Sequence, residues 1–388
     1  MWWNNMEKLK TKVIMIANYA AFYSGNFIAS LNTLEEMLND LDVTVSYVYP
    51  KNAPFSNWGE KGKYAENHAI YTVDFETDML VAKLKQMIRS DNYNSITILH
   101  MHFLDFKAIN AITRGLKKEK CMFVVHEHMR IDFGIKQKGG GSFILRSKAF
   151  VKQIFYKRAT STCRMIGVSD AVYKDILEIR GKKNPHTYLV RNAISTDRLD
   201  GKRNNILDLD PNHDVVIFGT HFERKGVDLA LQAVIKAGNG IKLIILTHNE
   251  NDAIEKLNDI CTEWSKYVNI FHVVEDIPSV YNYALCFISP SRSEAFGYAV
   301  VEAAYCETQV VASAIPGQDS MKCIPGIKWI RSENVDDLAE ALVYCYNRRK
   351  YCKKEMNEVK QIQKNYIRTN FDVETWCKEI LKIYGLTI

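Results

Sequence analysis

A chain of 388 residues is long for one domain and suits two domains of nearly equal size. Its composition is 47% hydrophobic and 25% charged, with 19 glycines and 8 prolines, which excludes a disordered, low-complexity or collagen-like protein. The net charge of +6 is mildly basic, which suits anionic partners but is far from a histone-like balance.

Continuous apolar runs recur along the chain, and such runs predict strands that are buried on both faces of parallel sheets. In chain order, the predicted strands are 12–18, 43–49, 96–103, 121–127, 165–169, 214–220, 241–247, 284–290 and 309–314. Helical patterns separate them, for example at 26–39, 78–90, 226–237, 251–265 and 297–306. This alternation predicts doubly wound α/β domains.

The polar stretch 195–212 interrupts this alternation and predicts the boundary between two Rossmann-like halves. In open α/β sheets, ligands bind beyond the carboxyl ends of the strands. We therefore expect the functional residues in the loops that leave those ends.

Compartment signals are weak and favour the cytoplasm. The nine cysteines form no C-x-x-C pair, which favours reduced thiols. The basic and then apolar start of the chain resembles a signal peptide, but Asn18 interrupts the run, and we interpret it as a first buried strand. No apolar stretch approaches the ~18 residues of a membrane span.

The segment 288–313 combines a strand, a polar loop and a helix start. Its strand ends at Pro290, the loop carries Glu294, and Gly297 opens a helix that contains Glu302. The N–H groups at such a helix start lack intrahelical partners and can hold a phosphate. One carboxylate could then meet a sugar and the other a ribose; alternatively, both are solvated charges.

The segment 214–234 carries two cations immediately before a helix. Arg224 and Lys225 follow a strand that ends at Gly219, and Gly226 opens the helix. Two cations at this point suit a diphosphate leaving group, whose developing charge they would stabilise. The alternative is a solvated basic turn.

Together these segments resemble glycosyltransferase family 4, retaining enzymes of the GT-B fold that use nucleotide-sugar donors. Glu294 and Glu302 match the family's E-x7-E pattern, and Lys225–Gly226 match its K-G pair. Further similarity lies at 167–177, 189–199, 273–284 and 371–384.

The resemblance implies two Rossmann-like domains facing across a cleft. Residues 1–195 would form an acceptor-binding domain and 196–365 a nucleotide-sugar-binding domain, while 366–388 would form a helix that crosses back to the first domain.

The resemblance also implies a role for each matching site residue. Lys225 and Arg224 would bind the donor diphosphate, Glu294 the transferred sugar and Glu302 the ribose. Main chain at Phe296, Gly297 and Tyr298 would meet phosphate and sugar, and main chain near Val274 would hold the base. In the first domain, Gly25 and Asn26 would lie close to donor phosphate and acceptor, and His126 would face the reacting sugar. The implied catalytic residues are Glu294, Lys225 and His126.

The chain departs from the family pattern at several turns. Thr220 stands where the family has an arginine, Ala295 and Glu307 replace glycines, Gln309 replaces a proline, and Pro316–Gly317 replaces a double glycine. These changes concern the donor more than the fold. They also motivate an alternative, a catalytically idle subunit that stabilises a partner.

Two histidine pairs raise the question of a metal. His100 with His102, and His126 with His128, are each two apart on predicted strands, so each pair shares a face. Such pairs can bind zinc or copper, but no Asp, Cys or Glu pattern completes a ligand set. We therefore interpret them as lining a polar cleft, and we expect no metal and no cofactor.

A basic segment covers residues 136–164, with eight cations and no acidic residue. Apolar residues interleave with the cations, as in helices that rest on anionic lipid, although a core helix with a solvated cationic face fits as well. The triple glycine 139–141 would form a mobile loop before the helix. No nucleic-acid-binding module is recognisable, so no nucleic-acid partner is expected.

The sequence thus predicts a cytoplasmic glycosyltransferase, at most peripheral on the inner face of the membrane. It would move a sugar, with retention, from a UDP-sugar in preference to a GDP-sugar to a saccharide or lipid-linked glycan of the cell surface. A sugar-nucleotide epimerase on the same fold is a further alternative.

Overall fold

The computed structural model describes residues 10–21, 25–58, 64–90, 96–131, 143–201 and 203–386. The chain divides into two compact units. Unit 1 comprises Met1–Asn192 and Val373–Ile388, and unit 2 comprises Ala193–Asp372.

Unit 1 is built on a seven-stranded sheet in which every pair of neighbours is parallel. Its strands are β1 (Thr11–Ala17), β2 (Thr44–Pro50), β3 (Ile70–Val73), β4 (Ile96–His102), β5 (Cys121–Glu127), β6 (Arg164–Gly167) and β7 (Thr187–Leu189). Their spatial order is β3-β2-β1-β4-β5-β6-β7. The interior strands β1, β4 and β5 are buried along nearly their whole length, which explains their continuous apolar runs.

The helices of unit 1 lie between the strands, and two of them begin at side-chain caps. They are α1 (Asn26–Asn39), α2 (Tyr64–Asn67), α3 (Thr77–Arg89), α4 (Phe106–Gly115), α5 (Phe143–Ala159), α6 (Asp170–Arg180) and the last helix of the chain, α14 (Val373–Tyr384). The side chains of Asp105 and Ser169 accept the N–H groups of Ala108 and Val172 and so cap α4 and α6. Helix α14 packs against α1.

Unit 2 is built on a six-stranded parallel sheet in the order β10-β9-β8-β11-β12-β13. Its strands are β8 (Asp214–Phe218), β9 (Lys242–Thr247), β10 (Val268–His272), β11 (Cys286–Ser289), β12 (Gln309–Ser313) and β13 (Lys328–Ile330). Its helices are α7 (Phe222–Lys225), α8 (Val227–Ala237), α9 (Glu250–Ile260), α10 (Ile277–Tyr283), α11 (Tyr298–Tyr305), α12 (Val335–Tyr351) and α13 (Lys353–Asn370).

The predicted α/β architecture is confirmed, since both sheets are entirely parallel and carry helices between their strands. The division between the units falls at 192/193 on the first passage of the chain and at 372/373 on its return. The boundary that the sequence suggests at 365/366 lies inside α13. That helix is tied to unit 2, because Lys364 and Arg368 both bind Asp200.

Each sheet reverses its strand order at one point, and this point places the functional loops. In unit 1 the reversal lies between β1 and β4, and in unit 2 it lies between β8 and β11. The loops that leave neighbouring strands on either side of such a reversal separate and form a crevice. In unit 2 these are the loops that carry the two predicted motifs.

Candidate functional site

The loop after β8 approaches the end of β11 so closely that Gly226 is required. Gly226 has φ +73°, and a Cβ added there would lie 2.3 Å from the carbonyl oxygen of Pro290. The loop is further fastened by the Arg292 N–H, which donates to the Arg224 carbonyl at 2.9 Å. The two motifs, distant in sequence, are therefore adjacent in space.

Gly226 and Gly238 stand at the two ends of α8, and both have positive φ. Only at Gly226 would an added Cβ meet a neighbouring backbone atom. A Cβ at Gly238, φ +61°, meets nothing within 4 Å. We expect Gly226→Ala to lower the free energy of unfolding by about 3–5 kcal/mol, from left-handed strain and the clash with Pro290 together. We expect Gly238→Ala to lower it by about 1–3 kcal/mol from strain alone, because φ +61° with ψ −133° is a conformation that only glycine adopts readily. Urea denaturation of both variants measures the difference. Equal losses would show that the approach to Pro290 is loose.

Glu294 is held in the loop after β11 by bonds to its own surroundings. The Ser291 hydroxyl donates to Glu294 Oε1 at 3.1 Å, and Ser291 lies 3.3 Å from Ser289, which accepts from Gln318 Nε2 at 3.2 Å. A Cβ at Gly317 would lie 1.7 Å from the Glu294 carbonyl oxygen, so a glycine is needed where the next loop crosses. The Ser291 hydroxyl thus holds the Glu294 carboxylate in place, and the close approach of Gly317 holds its backbone.

Both predicted cations meet this carboxylate. Lys225 Nζ lies 2.6 Å from Glu294 Oε1, and Arg224 Nη1 lies 3.2 Å from Oε2. The side chains of Glu294 and Lys225 are 10% and 19% exposed, while Arg224 is 40% exposed and also donates to the Ser293 carbonyl at 3.1 Å. We call Arg224, Lys225 and Glu294 the ion cluster.

The ion cluster keeps Glu294 ionised. Burial by itself would raise the pKa of the Glu294 carboxyl, but the adjacent Lys225 ammonium and Arg224 guanidinium hold that pKa below its usual value. The cluster therefore contains two cations and one anion, and a phosphate that enters could exchange for the carboxylate at either cation.

Helix α11 begins immediately after this loop. Gly297 caps it with φ +100°, and Phe296, at the turn, is buried. The first N–H groups of a helix have no carbonyl four residues before them, and they carry the positive end of the helix dipole. The positions proposed for main-chain contacts, 296–298, thus lie at the start of α11 and beside the ion cluster.

Glu302 lies one turn further along α11, is buried, and accepts from Arg198 Nη1 at 3.0 Å. The sequence predicted a carboxylate available to a ribose, and the structure adds an arginine partner that would orient it. Val274 follows β10 and is half-buried beside the Val273 N–H, which donates to the Thr247 carbonyl at 3.1 Å. The ligand roles of Glu302 and Val274 stay predictions.

In unit 1, Gly25 caps α1 and Asn26 is its first residue. Gly25 has an extended backbone, φ −99°, and an added Cβ would make only an ordinary contact with Tyr19 at 3.7 Å, so neither strain nor crowding demands glycine here. Residues 22–24 of this turn lie outside the described residues. The proposed phosphate and acceptor contacts at 25–26 stay predictions.

His126 lies at the end of β5 in a group of four histidines. Its ring is 1% exposed, and neither ring nitrogen has a hydrogen-bond partner among the described residues. Burial lowers the pKa of His126 to about 3, and it lowers the pKa values of His100, His102 and His128 well below their usual range. These imidazoles are therefore neutral at pH 7, and a role for His126 toward the sugar stays a prediction.

The chain contains two Asp-x-Asp triplets, 40–42 in unit 1 and 208–210 in unit 2. The first precedes β2 and the second precedes β8, so both lie at the amino ends of strands. Asp210 accepts from the Asn212 N–H at 2.9 Å and lies 2.6 Å from His213 Nδ1, which makes it part of a turn. The carboxyl edge that carries the candidate site is the opposite edge of each sheet.

Two departures from the family pattern have local structural consequences. Glu307 has φ +62°, a conformation in which glycine is favoured, and its side chain accepts from Gln361 Nε2 at 2.9 Å. Gln309 is buried and donates to the carbonyls of Leu285 and Cys345. Both residues come after α11, which ends at Tyr305, so neither stands at the start of that helix.

Residues 143–159 of the basic segment form α5, which has an exposed face that mixes cations and aromatic residues. Phe150 and Phe155 are 61% and 53% exposed, and Lys148, Lys152 and Lys157 are exposed beside them. Lys136, Lys138 and the glycines 139–141 lie outside the described residues. In the part of the chain that the structure describes, no helix is long and apolar enough to cross a membrane.

Sequence reasoning missed the residues that support the site. Arg292 binds Asp228 through both terminal nitrogens, at 2.8 and 2.7 Å, and fixes the β11 loop to α8. Arg198, the partner of Glu302, was also not singled out, and Gly317 was noted only as part of a replaced double glycine, not as the neighbour of Glu294. Their signals are single residues in polar stretches, which no periodic pattern distinguishes.

Comparison with known proteins gives a family match in unit 2. Residues 212–348, which contain the ion cluster and α11, match the family described as Glycosyl transferases group 1. This match covers most of unit 2 and about a third of the whole chain. No curated protein sequence matches the chain significantly.

Solved structures match over nearly the whole chain. The Anabaena protein HepE in complex with UDP is 15% identical with a TM-score of 0.75, covering 97% of this chain and 100% of that one. Sucrose-phosphate synthase from Thermosynechococcus elongatus is 14% identical with a TM-score of 0.74, covering 97% and 98%. WaaG, a glycosyltransferase involved in lipopolysaccharide biosynthesis, is 15% identical with a TM-score of 0.67, covering 96% and 99%. These likenesses, together with the two parallel sheets, show that the chain has the GT-B fold.

Proposed function

We propose that the protein is a retaining, family 4-like glycosyltransferase that moves a sugar from a nucleotide diphosphate-sugar to an acceptor hydroxyl. The observation that supports this most directly is the ion cluster at the strand-order reversal of unit 2, beside the start of α11. A cationic pair and a helix start that converge on one crevice suit a pyrophosphate.

In this proposal the donor diphosphate binds Lys225 and Arg224 and takes over the bonds that they make with Glu294. The bond between the anomeric carbon and the β-phosphate oxygen breaks, and the electron pair leaves with the diphosphate. The two cations and the first N–H groups of α11 stabilise that charge. The acceptor oxygen bonds to the anomeric carbon from the same face, and its proton passes to the departing diphosphate.

Glu294, once released from the cations, would accept hydrogen bonds from the transferred sugar, and Glu302, oriented by Arg198, would accept from the ribose. A UDP-sugar is the proposed donor, and structures of HepE in complex with UDP and with UDP-glucose support that choice. A saccharide or lipid-linked glycan of the cell surface is the proposed acceptor. No cofactor takes part in the proposed transfer.

The proposal is tested by incubating the protein with a panel of UDP- and GDP-sugars and measuring nucleotide diphosphate release with and without candidate saccharide acceptors. Acceptor-dependent UDP release with an α-linked product from an α-linked donor is expected. Conversion of the donor without an acceptor would instead identify an epimerase. Failure to bind any nucleotide diphosphate would identify an idle subunit.

We further propose that α5 rests on an anionic membrane surface. Exposed aromatic side chains next to lysines insert at the headgroup boundary while the cations meet anionic lipid. Co-sedimentation with vesicles is expected to increase with phosphatidylglycerol content. Phe150→Ala/Phe155→Ala should lower partitioning about tenfold, since two large apolar side chains are removed.

The control for that variant is Tyr351→Ala/Ile362→Ala in unit 2. It removes two exposed apolar side chains, one at the end of α12 and one within α13. Its partitioning should equal that of the parent. Equal partitioning of the α5 variant and the control would contradict the membrane proposal.

A further inference from the structure

Three histidines on two adjacent strands of unit 1 converge. His100 and His102 are two apart on β4 and share a face, and His126 of β5 stands directly opposite His102 in the parallel register. One ring nitrogen of each lies within 4.8 Å of one ring nitrogen of the other two. The ring centroids of His100 and His102 are 4.0 Å apart.

These rings present unpaired nitrogens inside the protein. His100, His102 and His126 are between 0% and 1% exposed. His100 Nε2, His102 Nε2 and both ring nitrogens of His126 have no hydrogen-bond partner among the described residues. A buried polar atom without a partner destabilises the folded protein, so four such atoms in one group require an explanation.

The Nδ1 atoms of His100 and His102 each have a polar partner, as the second ring nitrogen of a metal-binding histidine usually does. His100 Nδ1 lies 2.6 Å from the hydroxyl of Tyr384, and His102 Nδ1 lies 2.9 Å from His128 Nε2. If each Nδ1 carries the proton and donates it to that partner, each Nε2 keeps its lone pair. Outer partners of this kind fix the tautomer and the ring orientation of histidine ligands.

We propose that His100, His102 and His126 bind a divalent transition metal ion, with zinc as the ion that best fits their chemistry. Neutral imidazoles are preferred ligands of zinc, and three of them leave one position of a tetrahedral ion for water or an anion. Ligands at the usual zinc–nitrogen distance lie roughly 3.3 Å from one another, so the ring nitrogens need to approach one another by at most about 1.5 Å.

The site would connect three elements of unit 1. It would bridge β4 to β5 directly, and through Tyr384 it would reach α14, the helix that returns to unit 1 from unit 2. Trp376, also on α14, stacks on His126 with ring centroids 5.8 Å apart. Metal binding is therefore expected to stabilise the attachment of α14.

This inference does not depend on the glycosyltransferase proposal, and it differs from the sequence-based expectation of no metal. The residue that adds a third ligand to His100 and His102 is His126 on the neighbouring strand, not an acidic residue or a cysteine. A metal-bound His126 could not also contact a sugar through the same nitrogen, so the two roles of His126 compete.

The experiment uses the full chain without a histidine tag. Elemental analysis after purification should find about one zinc per chain, and removal by a chelator followed by zinc addition should raise the melting temperature by about 5 °C or more. Cobalt added to the metal-free protein should give the visible absorption of a tetrahedral nitrogen-ligated ion. Absence of bound metal, of the thermal shift and of the cobalt spectrum would overturn the proposal and leave a neutral aromatic cluster.

Two variants locate the site. His126→Phe keeps a stacked ring but removes the ligand, and it should abolish the cobalt spectrum; Tyr384→Phe removes the outer partner of His100 and should weaken zinc binding about 10–100-fold. His213→Gln, in unit 2, is the control and should bind zinc like the parent. If zinc binds equally well to His126→Phe and Tyr384→Phe, the ion lies elsewhere and the assignment is wrong. Because Tyr384→Phe loses only a hydroxyl, it tests the site even if His126→Phe fails to fold.

Discussion

Replacing Lys225 by alanine is expected to lower kcat by about 10²–10³-fold. Lys225 is the less exposed of the two cations, and its ammonium is the closest group to Glu294, at 2.6 Å. Loss of one preorganised group that stabilises developing charge costs about this much in turnover. Steady-state kinetics with the donor found in the nucleotide-sugar screen measures the loss.

A matched control is Lys236→Ala on α8, because Lys236 is an exposed lysine of the same unit that pairs with Asp336 at 2.5 Å. Its kcat should equal that of the parent. Lys225→Ala leaves Glu294 bound to Arg224 and Ser291, so the variant should still fold, as circular dichroism and thermal melting will show. Turnover within threefold of the parent in folded Lys225→Ala would remove Lys225 from the mechanism.

Glu294→Gln is expected to separate chemistry from donor binding. The glutamine is nearly isosteric but leaves the two cations without their anion, so UDP should bind as tightly as to the parent or more tightly. Turnover should fall about 10–10²-fold, since a charged hydrogen bond to the sugar is lost. Calorimetry with UDP and kinetics with the donor give the two numbers.

Glu333→Gln is the control for this variant, because Glu333 is an exposed carboxylate of unit 2 that is also bound to an arginine, Arg292, at 2.9 Å. It should change neither UDP affinity nor turnover. If Glu294→Gln weakened UDP binding while turnover of bound donor stayed unchanged, Glu294 would be a ligand of the diphosphate region and not of the sugar.

The interior of both sheets could be predicted from the sequence, whereas their edges could not. The nine predicted strands correspond to the interior strands of the two sheets, where burial on both faces demands continuous apolar residues. The four strands that were missed, β3, β7, β10 and β13, are the four edges. β3 and β13 show why, since their sequences IYTV and KWI are short and partly exposed and carry no long apolar run.

The position of the ion cluster could also be predicted, but not its internal bonds. A cationic pair after one strand and a carboxylate after another point to one crevice once the strands are parallel and adjacent. That Glu294 would bind both cations depends on Gly226 and Gly317 bringing backbones together, and such close approaches have no sequence period. From the sequence, the histidines can be recognised only as two separate pairs. The register that brings His126 opposite His102 is set only in the folded sheet.

We propose that Lys225, Arg224 and the start of α11 bind the pyrophosphate of a nucleotide donor. Titration calorimetry with UDP, UMP and uridine, on the parent and on Lys225→Ala, tests it most directly. We expect UDP to bind the parent at least about tenfold more tightly than UMP does. We expect Lys225→Ala to lose most of this preference for UDP. Equal affinities of the parent for UDP and UMP, or a preference for UDP that survives in Lys225→Ala, would contradict it.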